Sequence, residues 1–359
     1  MTTDHLSNDV IFLTRYEEIK YVLNDVRFDI FKPLTVGSVT SHMKSKEVNS
    51  LRSHRIRPLL QVLTKHLSSY AVQPLAPLIE TFVRNTLDKA QVEGKIDLIA
   101  DLAYPLPMFV MAELMGLPPA ELLKLEEPFA TISRGHDLAA TDQDKKRGHL
   151  ALLATGRWLA SLMRQRKPTP LMDAILLVAH DGKNVGESIL HYWCTMLLYA
   201  GSATTKGALS NSIAILLENP ELSNLLLEQP QLIDSATEEF LRFQGPVKGV
   251  ARIAAEDVNL GDQIIQRGQL VYLMLNHANK DPLRFKNADQ LDICRSPNPH
   301  VAFGYGVTYC LGAHLARLEI QQVLKTILPY LPKMSIAGDI KRSDYNLLCE
   351  YTSLPIIFS

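Results

Sequence analysis

Cysteine is scarce in this sequence, and neither sign of charge is in excess. The four cysteines among 359 residues show no CxxC spacing, so neither a zinc site nor a disulfide framework is indicated. Lysine and arginine number 37 and aspartate and glutamate 38, which gives a net charge of -1 at pH 7. A strongly basic nucleic-acid binder is therefore disfavoured.

Long apolar runs are missing as well. The uncharged stretch from Ser188 to Thr205 is interrupted by polar residues, and the one from Leu102 to Ala112 is short and contains two prolines. Neither stretch predicts a membrane-spanning helix. The opening MTTDHLSNDV lacks the positively charged and then apolar pattern of a signal peptide. We therefore expect a cytoplasmic protein without a membrane partner.

The composition that is present is that of an ordinary globular protein. Apolar residues make up 47% of the chain and charged residues 21%, which excludes a disordered or fibrous protein. No repeat, low-complexity tract or long linker divides the sequence, so we predict a single domain over residues 1–359. A chain of this length can bury a core large enough to enclose a cofactor.

The hydrophobic pattern is helical from about residue 55 to 243 and again from about 311 to 328. In PLAPLIETFVRNTLDKAQ, for example, apolar residues recur at the spacing of one helix face. The stretch from Glu187 to Glu218 contains no proline and ends at Asn219-Pro220, which is a clear stop signal. Because it is apolar over much of its circumference, we expect this helix to run through the core.

The segment from about 244 to 309 has a different character. Short β-like runs, broken by Gly261 and Gly268, predict a small sheet followed by turn-rich chain. Another strand-like run opens the chain, before a helix that begins near Tyr16. Nothing resembles a βαβ series, and no GxGxxG follows a strand, so a nucleotide-binding fold is disfavoured. The predicted fold class is mainly α with small β-sheets.

The most informative segment is FGYGVTYCLGAHLARLE, in which two glycines precede Cys310 and a helix follows it. Glycine lets a backbone pass close to a flat ligand and adopt positive φ. A thiolate at a helix N-terminus is favoured by the helix dipole and by unpaired N–H groups. This chemistry suits an anionic sulfur ligand for haem iron. A buried structural cysteine in a glycine turn is the alternative interpretation.

The string FGxGxxxCxGxxLAR resembles the haem-binding signature of the cytochrome P-450 family, and the resemblance covers nearly the whole chain. It implies a cytochrome P-450 fold, a helical bundle around a buried haem b with small β-sheets. Cys310 would be the axial thiolate ligand of the haem iron, with Phe303 packed near the sulfur. Gly304 and Gly312 would allow the close approaches of backbone. Thr308 stands where the family usually has His or Arg, and it brings no charge.

The segment EEFLR matches the family's ExxR motif. Glu239 and Arg242 lie one helical turn apart and are able to pair. The resemblance adds Arg295, from the irregular segment before the cysteine loop, as the third member of a structural triad. Its implied role is to lock the loop that holds Cys310. A surface ion pair is the alternative for Glu239 and Arg242 taken alone.

The long helix carries LLYAGSATTK, which resembles the family's oxygen-binding groove. In this resemblance Ala200 and Gly201 leave room for dioxygen, and Thr204 hydrogen-bonds the bound oxygen. Ala203 stands at the position where the family usually has an acid. It removes the carboxylate that normally relays protons and is the most consequential departure in the chain.

The resemblance also implies partners for the two haem propionates, which need cations or hydrogen-bond donors. Arg252 and His300 occupy the positions of a propionate-binding Arg and His in bacterial members. Near the start of the chain, where the family has a His and an Arg four residues apart, an ungapped fit places Arg57 on the Arg and Ser53 on the His. His54 lies one position off, and we include it with Arg57 as a haem contact. A solvated surface charge is the alternative for each.

The implied function is that of a soluble bacterial haem-thiolate monooxygenase that inserts oxygen from O2 into a small or medium organic molecule in specialised metabolism. Electrons would come from a ferredoxin-type partner, because the chain carries no flavin or iron–sulfur motif. Ala203 keeps a second class open, since the groove also looks like that of the family's fungal nitric oxide reductase branch. Peroxide-driven, isomerising or carrier-bound-substrate chemistry belongs to the same alternative. A non-catalytic haem binder is the third alternative, which the intact cysteine loop and Thr204 disfavour.

The sequence does not name the substrate. The segments expected to line the pocket, Asp29 to Lys46 and Glu121 to Gly148, carry no readable motif. The chain is also expected to lack the leading helix that most soluble members have, because its first segment already matches their first strands. This difference affects one side of the expected substrate channel.

Overall fold

A computed structural model of the chain describes residues 10–30, 57–180, 187–344 and 346–359, and most of them are helical. The helices, in chain order, are α1 (Tyr16–Asn24), α2 (Arg57–His66), α3 (Ser69–Val72), α4 (Ala76–Glu93), α5 (Pro105–Met115), α6 (Pro119–Leu122), α7 (Glu126–His136), α8 (Asp142–Met163), α9 (Pro170–His180), α10 (Glu187–Glu218), α11 (Pro220–Glu228), α12 (Ile233–Gln244), α13 (Leu275–Ala278) and α14 (Ala313–Ile327). The predicted class, mainly α with small sheets, is confirmed.

The strands form small separate sheets at the edges of the helical body. They are β1 (Val10–Leu13), β2 (Phe28–Ile30), β3 (Lys95–Asp97), β4 (Val250–Ala254), β5 (Val258–Leu260), β6 (Gln263–Ile265), β7 (Leu270–Leu273), β8 (Met334–Ile336), β9 (Lys341–Arg342), β10 (Tyr351–Ser353) and β11 (Pro355–Phe358). The largest sheet has the order β1-β7-β4-β2, with β1 parallel to β7 and the other pairs antiparallel. The early strands therefore pair with the predicted sheet region after residue 244.

Helix α10 is the central element, as the sequence predicts. It is 32 residues long and packs against α5, α8, α12 and α14. Leu198, Leu209 and Ile213 are fully buried along its length. The helix ends at the predicted stop, where Asn219 precedes a proline that begins α11. Burial around much of the circumference explains why its apolar residues do not form a single stripe.

Two helix boundaries show how local sequence sets the frame. Helix α4 buries Ile79, Val83 and Leu87 completely and ends at Gly94, which has a φ of 75°. Helix α8 begins with a capping box, in which Thr141 Oγ1 accepts from the Asp144 N–H at 3.1 Å and the Asp144 carboxylate accepts from the Thr141 N–H at 3.1 Å. These local signals fix where α4 ends and where α8 begins.

The four-stranded sheet and α1 share a second apolar core. Ile19 and Leu23 of α1 are buried with Val271 and Leu273 of β7. The segment Gly306–Thr308 of the cysteine loop lies against α1. The cysteine loop therefore packs against an element of this second core. In the part of the chain that the structure describes, no helix is both long and apolar enough to cross a membrane.

Candidate functional site

The cysteine loop is closed by its own backbone. The Cys310 N–H donates to the Phe303 carbonyl oxygen at 2.9 Å, and the Tyr309 N–H donates to the Gly306 carbonyl oxygen at 3.1 Å. Gly304 and Gly306 have φ values of 74° and 62°, a region that residues with a Cβ rarely adopt. A Cβ on Gly306 would also collide with the Asn24 side chain at the end of α1. Both glycines before the cysteine are thus required by the loop's shape.

The sulfur of Cys310 lies at the N-terminal end of α14. Gly312 is the residue before the helix, and its backbone N–H hydrogen-bonds the sulfur. The side chain touches solvent, yet enough protein surrounds it that burial raises the pKa of the Cys310 thiol. The Gly312 N–H and the Arg317 charge act in the opposite direction and favour the thiolate. These are the surroundings expected for an anionic sulfur ligand.

Arg252 is a buried cation that pairs with no acid in the described part of the chain. Arg252 lies in β4 and is 5% exposed, and burial lowers the pKa of its guanidinium to about 10. Its Nη1 donates to the Ala251 carbonyl oxygen at 2.9 Å and its Nη2 to Thr308 Oγ1 at 3.1 Å. Among the residues that the structure describes, no carboxylate pairs with it. Because a buried guanidinium without a counter-charge is costly, this position fits a carboxylate supplied by a bound group.

The thiol and the buried guanidinium together fit a haem. A haem offers an iron for one soft anionic ligand and propionates for a cation. Thr308, which replaces the usual His or Arg two residues before the cysteine, places its hydroxyl beside Arg252. The departure therefore removes a charge and keeps a polar group at the same point. The donor set on this side of the chain matches the predicted cofactor.

The predicted triad is assembled as one buried cluster. Arg242 donates from Nε to Glu239 Oε2 at 2.7 Å and from Nη2 to Glu239 Oε1 at 2.8 Å. Arg295 donates from Nε to Glu239 Oε2 at 3.1 Å. The side chains of Glu239 and Arg242 are fully buried, and that of Arg295 is 9% exposed. An exposed ion pair is thereby excluded as the interpretation of Glu239 and Arg242.

The triad also holds the irregular chain that leads to the cysteine loop. Arg242 Nη1 donates to the carbonyl oxygens of Asn279 and Ala288, at 2.8 and 2.7 Å. Arg295 Nη1 donates to the Lys286 carbonyl oxygen at 2.8 Å. This stretch has little regular secondary structure to satisfy its carbonyl groups, so the guanidinium groups do so instead.

In α10 the predicted groove has one clear polar feature. The Thr204 hydroxyl donates to the Ala200 carbonyl oxygen at 2.7 Å, so its oxygen remains available as an acceptor. A Cβ on Gly201 would meet Met111 Sδ at 2.9 Å, so the missing side chain also lets α5 pack closely against α10. The oxygen-binding roles of Ala200, Gly201 and Thr204 stay predictions.

Among the described residues of α10, none that lies one turn from Ala203 carries an acid side chain. Ser202 is buried and its hydroxyl donates to the Leu198 carbonyl oxygen at 2.7 Å. One turn after Ala203, Lys206 Nζ lies 3.1 Å from Glu350 Oε1. Burial raises the pKa of Glu350, with Lys206 acting in the opposite direction. Of the described α10 residues one turn from Ala203, Lys206 is the charged one and Tyr199 carries a phenol.

His300 does not take the place predicted for it. Its Nε2 lies 3.1 Å from Glu238 Oε2, and its Nδ1 accepts the Ala302 N–H at 3.2 Å. Both ring nitrogens are therefore occupied by protein, and the side chain is 3% exposed. The physical reason is the contact with Glu238 of α12. This carboxylate also binds Arg317 of α14, so it holds the His300 side chain next to these two helices. Sequence reasoning missed Glu238 and Arg317, although Arg317 is the last residue of the FGxGxxxCxGxxLAR string.

The remaining predicted haem contacts are less informative. Arg57 is the first residue of α2 and its side chain is exposed. His54 lies outside the described residues. The propionate roles of Arg57, His54 and Arg252 stay predictions, with Arg252 the one that the geometry supports.

This mainly helical fold, with a cysteine loop at a helix start and a buried triad behind it, is that of a haem-thiolate enzyme. The family model for cytochrome P-450 matches residues 145–332. The biotin biosynthesis cytochrome P-450 of Bacillus subtilis (strain 168) is 35% identical over 335 residues, which cover 91% of this chain and 84% of that protein. The nocardicin C N-oxygenase of Nocardia uniformis subsp. tsuyamanensis is 33% identical and covers 92% of this chain and 84% of its own length. The chain belongs to the cytochrome P-450 family.

A solved structure extends the likeness to three dimensions. The crystal structure of the cytochrome P-450 BioI in complex with an acyl carrier protein ligated to hexadec-9Z-enoic acid has a TM-score of 0.85 and 31% identity. The match covers 97% of this chain and 92% of that one. The protein is accordingly a cytochrome P-450 monooxygenase, an oxidoreductase with a haem-thiolate cofactor. The predicted family, fold and cofactor are confirmed.

Proposed function

We propose that this enzyme oxidises a small or medium organic molecule in specialised metabolism, in the cytoplasm, with O2 and with electrons from a ferredoxin-type partner. The observation that carries the proposal is the convergence of a thiol at the start of α14 with a buried guanidinium that has no acid partner among the described residues. Cys310 and Arg252 supply these two groups from segments that lie 58 positions apart, by subtraction of the residue numbers. The hydrogen bond from Arg252 Nη2 to Thr308 Oγ1, two residues before Cys310, supports one shared site.

Each group of the site has a task that follows from its contacts. A haem held by a thiolate supplies the one-electron and O2 chemistry when bound. Cys310 would hold the iron, and Arg252 with Thr308 would hold a propionate. Thr204 directs its proton to the Ala200 carbonyl oxygen, which leaves its lone pairs for a donor in the groove. The triad keeps the cysteine loop in place and does not touch substrate.

Proton supply is where this chain differs from the family pattern. A methyl group at Ala203 cannot bind or release a proton, and Ser202 is committed to its own helix. Thr204 can pass on a proton only if another group returns one. We infer that a hydroxyl, amine or acid of the substrate, or water held by it, completes the chain. General acid–base relays contribute about 10²–10⁴-fold, so the substrate's polar group should affect the rate strongly.

The electron donor would dock beside the cysteine loop. Three large side chains of this loop are exposed: Tyr305 at 39%, Val307 at 65% and Tyr309 at 44%. Lys20 Nζ lies 4.8 Å from the centre of the Tyr305 ring and adds a positive charge. Exposed apolar side chains with a charged border are typical of a protein interaction site. An acidic ferredoxin fits both features.

A carrier-bound substrate is the second candidate. One structural relative is complexed with an acyl carrier protein that carries a fatty acyl chain, and another relative is named for biotin biosynthesis. Ala203 agrees with this candidate, because some tailoring members that act on carrier-bound substrates also lack the acid. The nocardicin C N-oxygenase supports a free amine substrate instead. Both candidates keep the same site and differ in how the substrate arrives.

The test is turnover with three electron sources and two substrate forms. The purified enzyme is supplied with NADH alone, NADH with a ferredoxin and its reductase, or hydrogen peroxide, and products are analysed after incubation with isotopically labelled O2. Label in the product only with ferredoxin supports the monooxygenase. Activity with NADH alone and nitric oxide, or with peroxide alone, would replace it by the second enzyme class. Parallel spectral titration with free and carrier-bound acyl compounds, following the low-to-high-spin shift, decides between the two substrate forms.

A further inference from the structure

A carboxylate of α12 joins three parts of the chain on the cysteine side of the molecule. Arg317 of α14 donates from Nε to Glu238 Oε1 and from Nη2 to Glu238 Oε2, each at 2.7 Å. His300 adds a contact from Nε2 to Glu238 Oε2 at 3.1 Å. A two-pronged pair of this kind has a fixed geometry as well as charge. Glu238 is adjacent to the triad residue Glu239, but among the described residues the two carboxylates have no hydrogen-bond partner in common.

The tautomer of His300 follows from its hydrogen-bond partners. Its Nδ1 accepts the Ala302 N–H, so the proton of the neutral ring lies on Nε2. That N–H then donates to Glu238, and His300 connects the carboxylate to the backbone just before the cysteine loop. The ring is nearly inaccessible to solvent, with a side chain 3% exposed. His300 thus connects the loop to α12 as a hydrogen-bond donor.

Arg317 also contacts the cysteine loop. Its guanidinium carbon lies 4.5 Å from the centre of the Phe303 ring, and its Nη1 donates to the Tyr309 hydroxyl at 3.1 Å. Phe303 provides the carbonyl that accepts the Cys310 N–H, and Tyr309 immediately precedes Cys310. The positive charge is close enough to favour the Cys310 thiolate. Arg317 is therefore in contact with both ends of the loop.

We propose that the Glu238–Arg317 pair is a positioning element for Cys310 that also sets the charge felt by the sulfur, and hence the reduction potential of the haem. Arg317 places a positive charge beside the thiolate, and Glu238 offsets part of it. The proposal rests on Cys310 being the haem ligand, which is part of the proposed function. Removing either charge should move the potential, in opposite directions, because a nearby positive charge favours the reduced state.

The pair is partly exposed, with side chains 23% and 27% accessible, so solvent weakens its contribution to stability. If the pair had only a structural role, its variants would change in stability or haem content, and the potential of the protein that still binds haem would be unchanged. The potential is the readout that separates the two roles. It also does not depend on substrate or on the electron-transfer partner.

The experiment measures the haem reduction potential by dye-coupled equilibrium titration in Arg317→Gln, Glu238→Gln and the double variant. Arg317→Gln is expected to lower the potential and Glu238→Gln to raise it, with the double variant near the wild type. Arg84→Gln is the matched control, because Arg84 forms an exposed pair with Glu80 on α4 at 2.8 Å; it should leave the potential unchanged. Arg317→Lys keeps the charge and should stay close to the wild-type value even if it loses the two-pronged contact.

Shifts of the same sign in both single variants, or no shift in either, would overturn the proposal. If Arg317→Gln fails to retain haem, the Arg317→Lys and Glu238→Gln variants carry the test, and a wild-type potential in Glu238→Gln contradicts it. The carbon monoxide spectrum of the wild-type protein is recorded alongside. A spectrum without thiolate ligation there would remove the proposed function, whereas a thiolate spectrum with unmoved potentials would remove only this inference.

Discussion

Position 203 of α10 carries a methyl group one turn before Lys206, whose ammonium group lies 3.1 Å from Glu350. A carboxylate introduced by Ala203→Asp would find this cation already paired. We expect both the rate of product formation and the fraction of reducing equivalents that reach product to rise by less than about threefold, whereas a restored acid–base relay would raise the rate by about 10²–10⁴-fold. Product and peroxide are measured against NADH consumed, with Ala203→Asn as the uncharged control. A large gain confined to the Asp variant would mean that the relay was simply missing.

Arg252 allows a second test at the residue scale. Its buried guanidinium has no acid partner within the described ranges, so a propionate would satisfy it by a charge-assisted hydrogen bond. We expect Arg252→Leu to release haem about tenfold faster or more, since such bonds are worth about 1.5–3 kcal/mol. Arg252→Lys should lose less. The measurement is the rate of haem transfer to an acceptor protein.

Arg267, an exposed residue in the turn after β6, provides the matched control for Arg252. Arg267→Leu should leave the transfer rate unchanged. Equal rates in the wild type and Arg252→Leu would show that Arg252 does not contact the haem.

Some features around the cysteine could be predicted from the sequence and others could not. Cys310, its glycines and the Glu239–Arg242 pair follow from short strings, because loop shape and i, i+3 spacing are local properties, whereas Arg295 was added only through the family resemblance. The partner of His300 does not follow, since Glu238 lies 62 positions away and is brought close only by tertiary packing. The packing of Gly201 against Met111 does not follow either, because Met111 belongs to another helix. Side-chain partners between elements are where sequence reasoning failed.

At the scale of elements, the contact between α12 and α14 should be sensitive to acid. Arg317 and His300 hold the pKa of Glu238 down to about 2, below its ordinary 4.5, against the effect of burial. A carboxyl whose pKa is lowered on folding stabilises fully above pH 4.5 and loses this contribution as the pH falls from 4.5 toward 2. The contribution is at most about 3 kcal/mol, because the side chain is partly exposed.

We therefore expect Glu238→Gln to be less stable than the wild type at neutral pH and the difference to shrink at about pH 3. Urea unfolding at both pH values measures it, with Glu80→Gln, from an exposed pair on α4, as the control. A difference that stays constant across this range would mean that Glu238 titrates normally in the folded protein.

The joint between α12 and the irregular chain rests on Arg242. Its guanidinium satisfies Glu239 and three carbonyl groups, all in a buried position. Removing one partner of a buried charge pair typically costs about 3–5 kcal/mol, so we expect Arg242→Ala to lose haem or fail to fold. Circular dichroism and haem content measure this, with the exposed Arg84→Ala as control. A folded, fully haem-loaded Arg242→Ala protein would contradict the structural role.

The long elements were predictable and the short ones were not. The bounds of α10 follow from its apolar composition and from Pro220, both of which are local. Strand β3 has three residues and pairs with β11, which lies about 260 positions later, as in Pro355 opposite Asp97. A strand this short is stabilised by its partner and not by its own sequence. The sheet at the end of the chain could therefore not be assigned in detail from the sequence.

At the scale of the whole molecule, the site is assembled from distant segments around one helix. Strand β1 pairs with β7, as in Val10 opposite Leu270, and the resulting sheet with α1 supports the cysteine loop. The triad fixes the chain before the loop, and α10 passes through the middle of the fold. The proposed haem site therefore depends on the folded chain as a whole, and its central element is the proposed ligand Cys310.

The most direct test of this account is the carbon monoxide spectrum of the reduced protein, recorded for the wild type and for Cys310→Ala. We predict the long-wavelength Soret band of thiolate-ligated haem in the wild type and its loss in Cys310→Ala, while Cys294→Ala, at an exposed cysteine, keeps it. A Soret band typical of histidine-ligated haem in the wild type would contradict the account. So would a Cys310→Ala protein that retains haem with an unchanged spectrum.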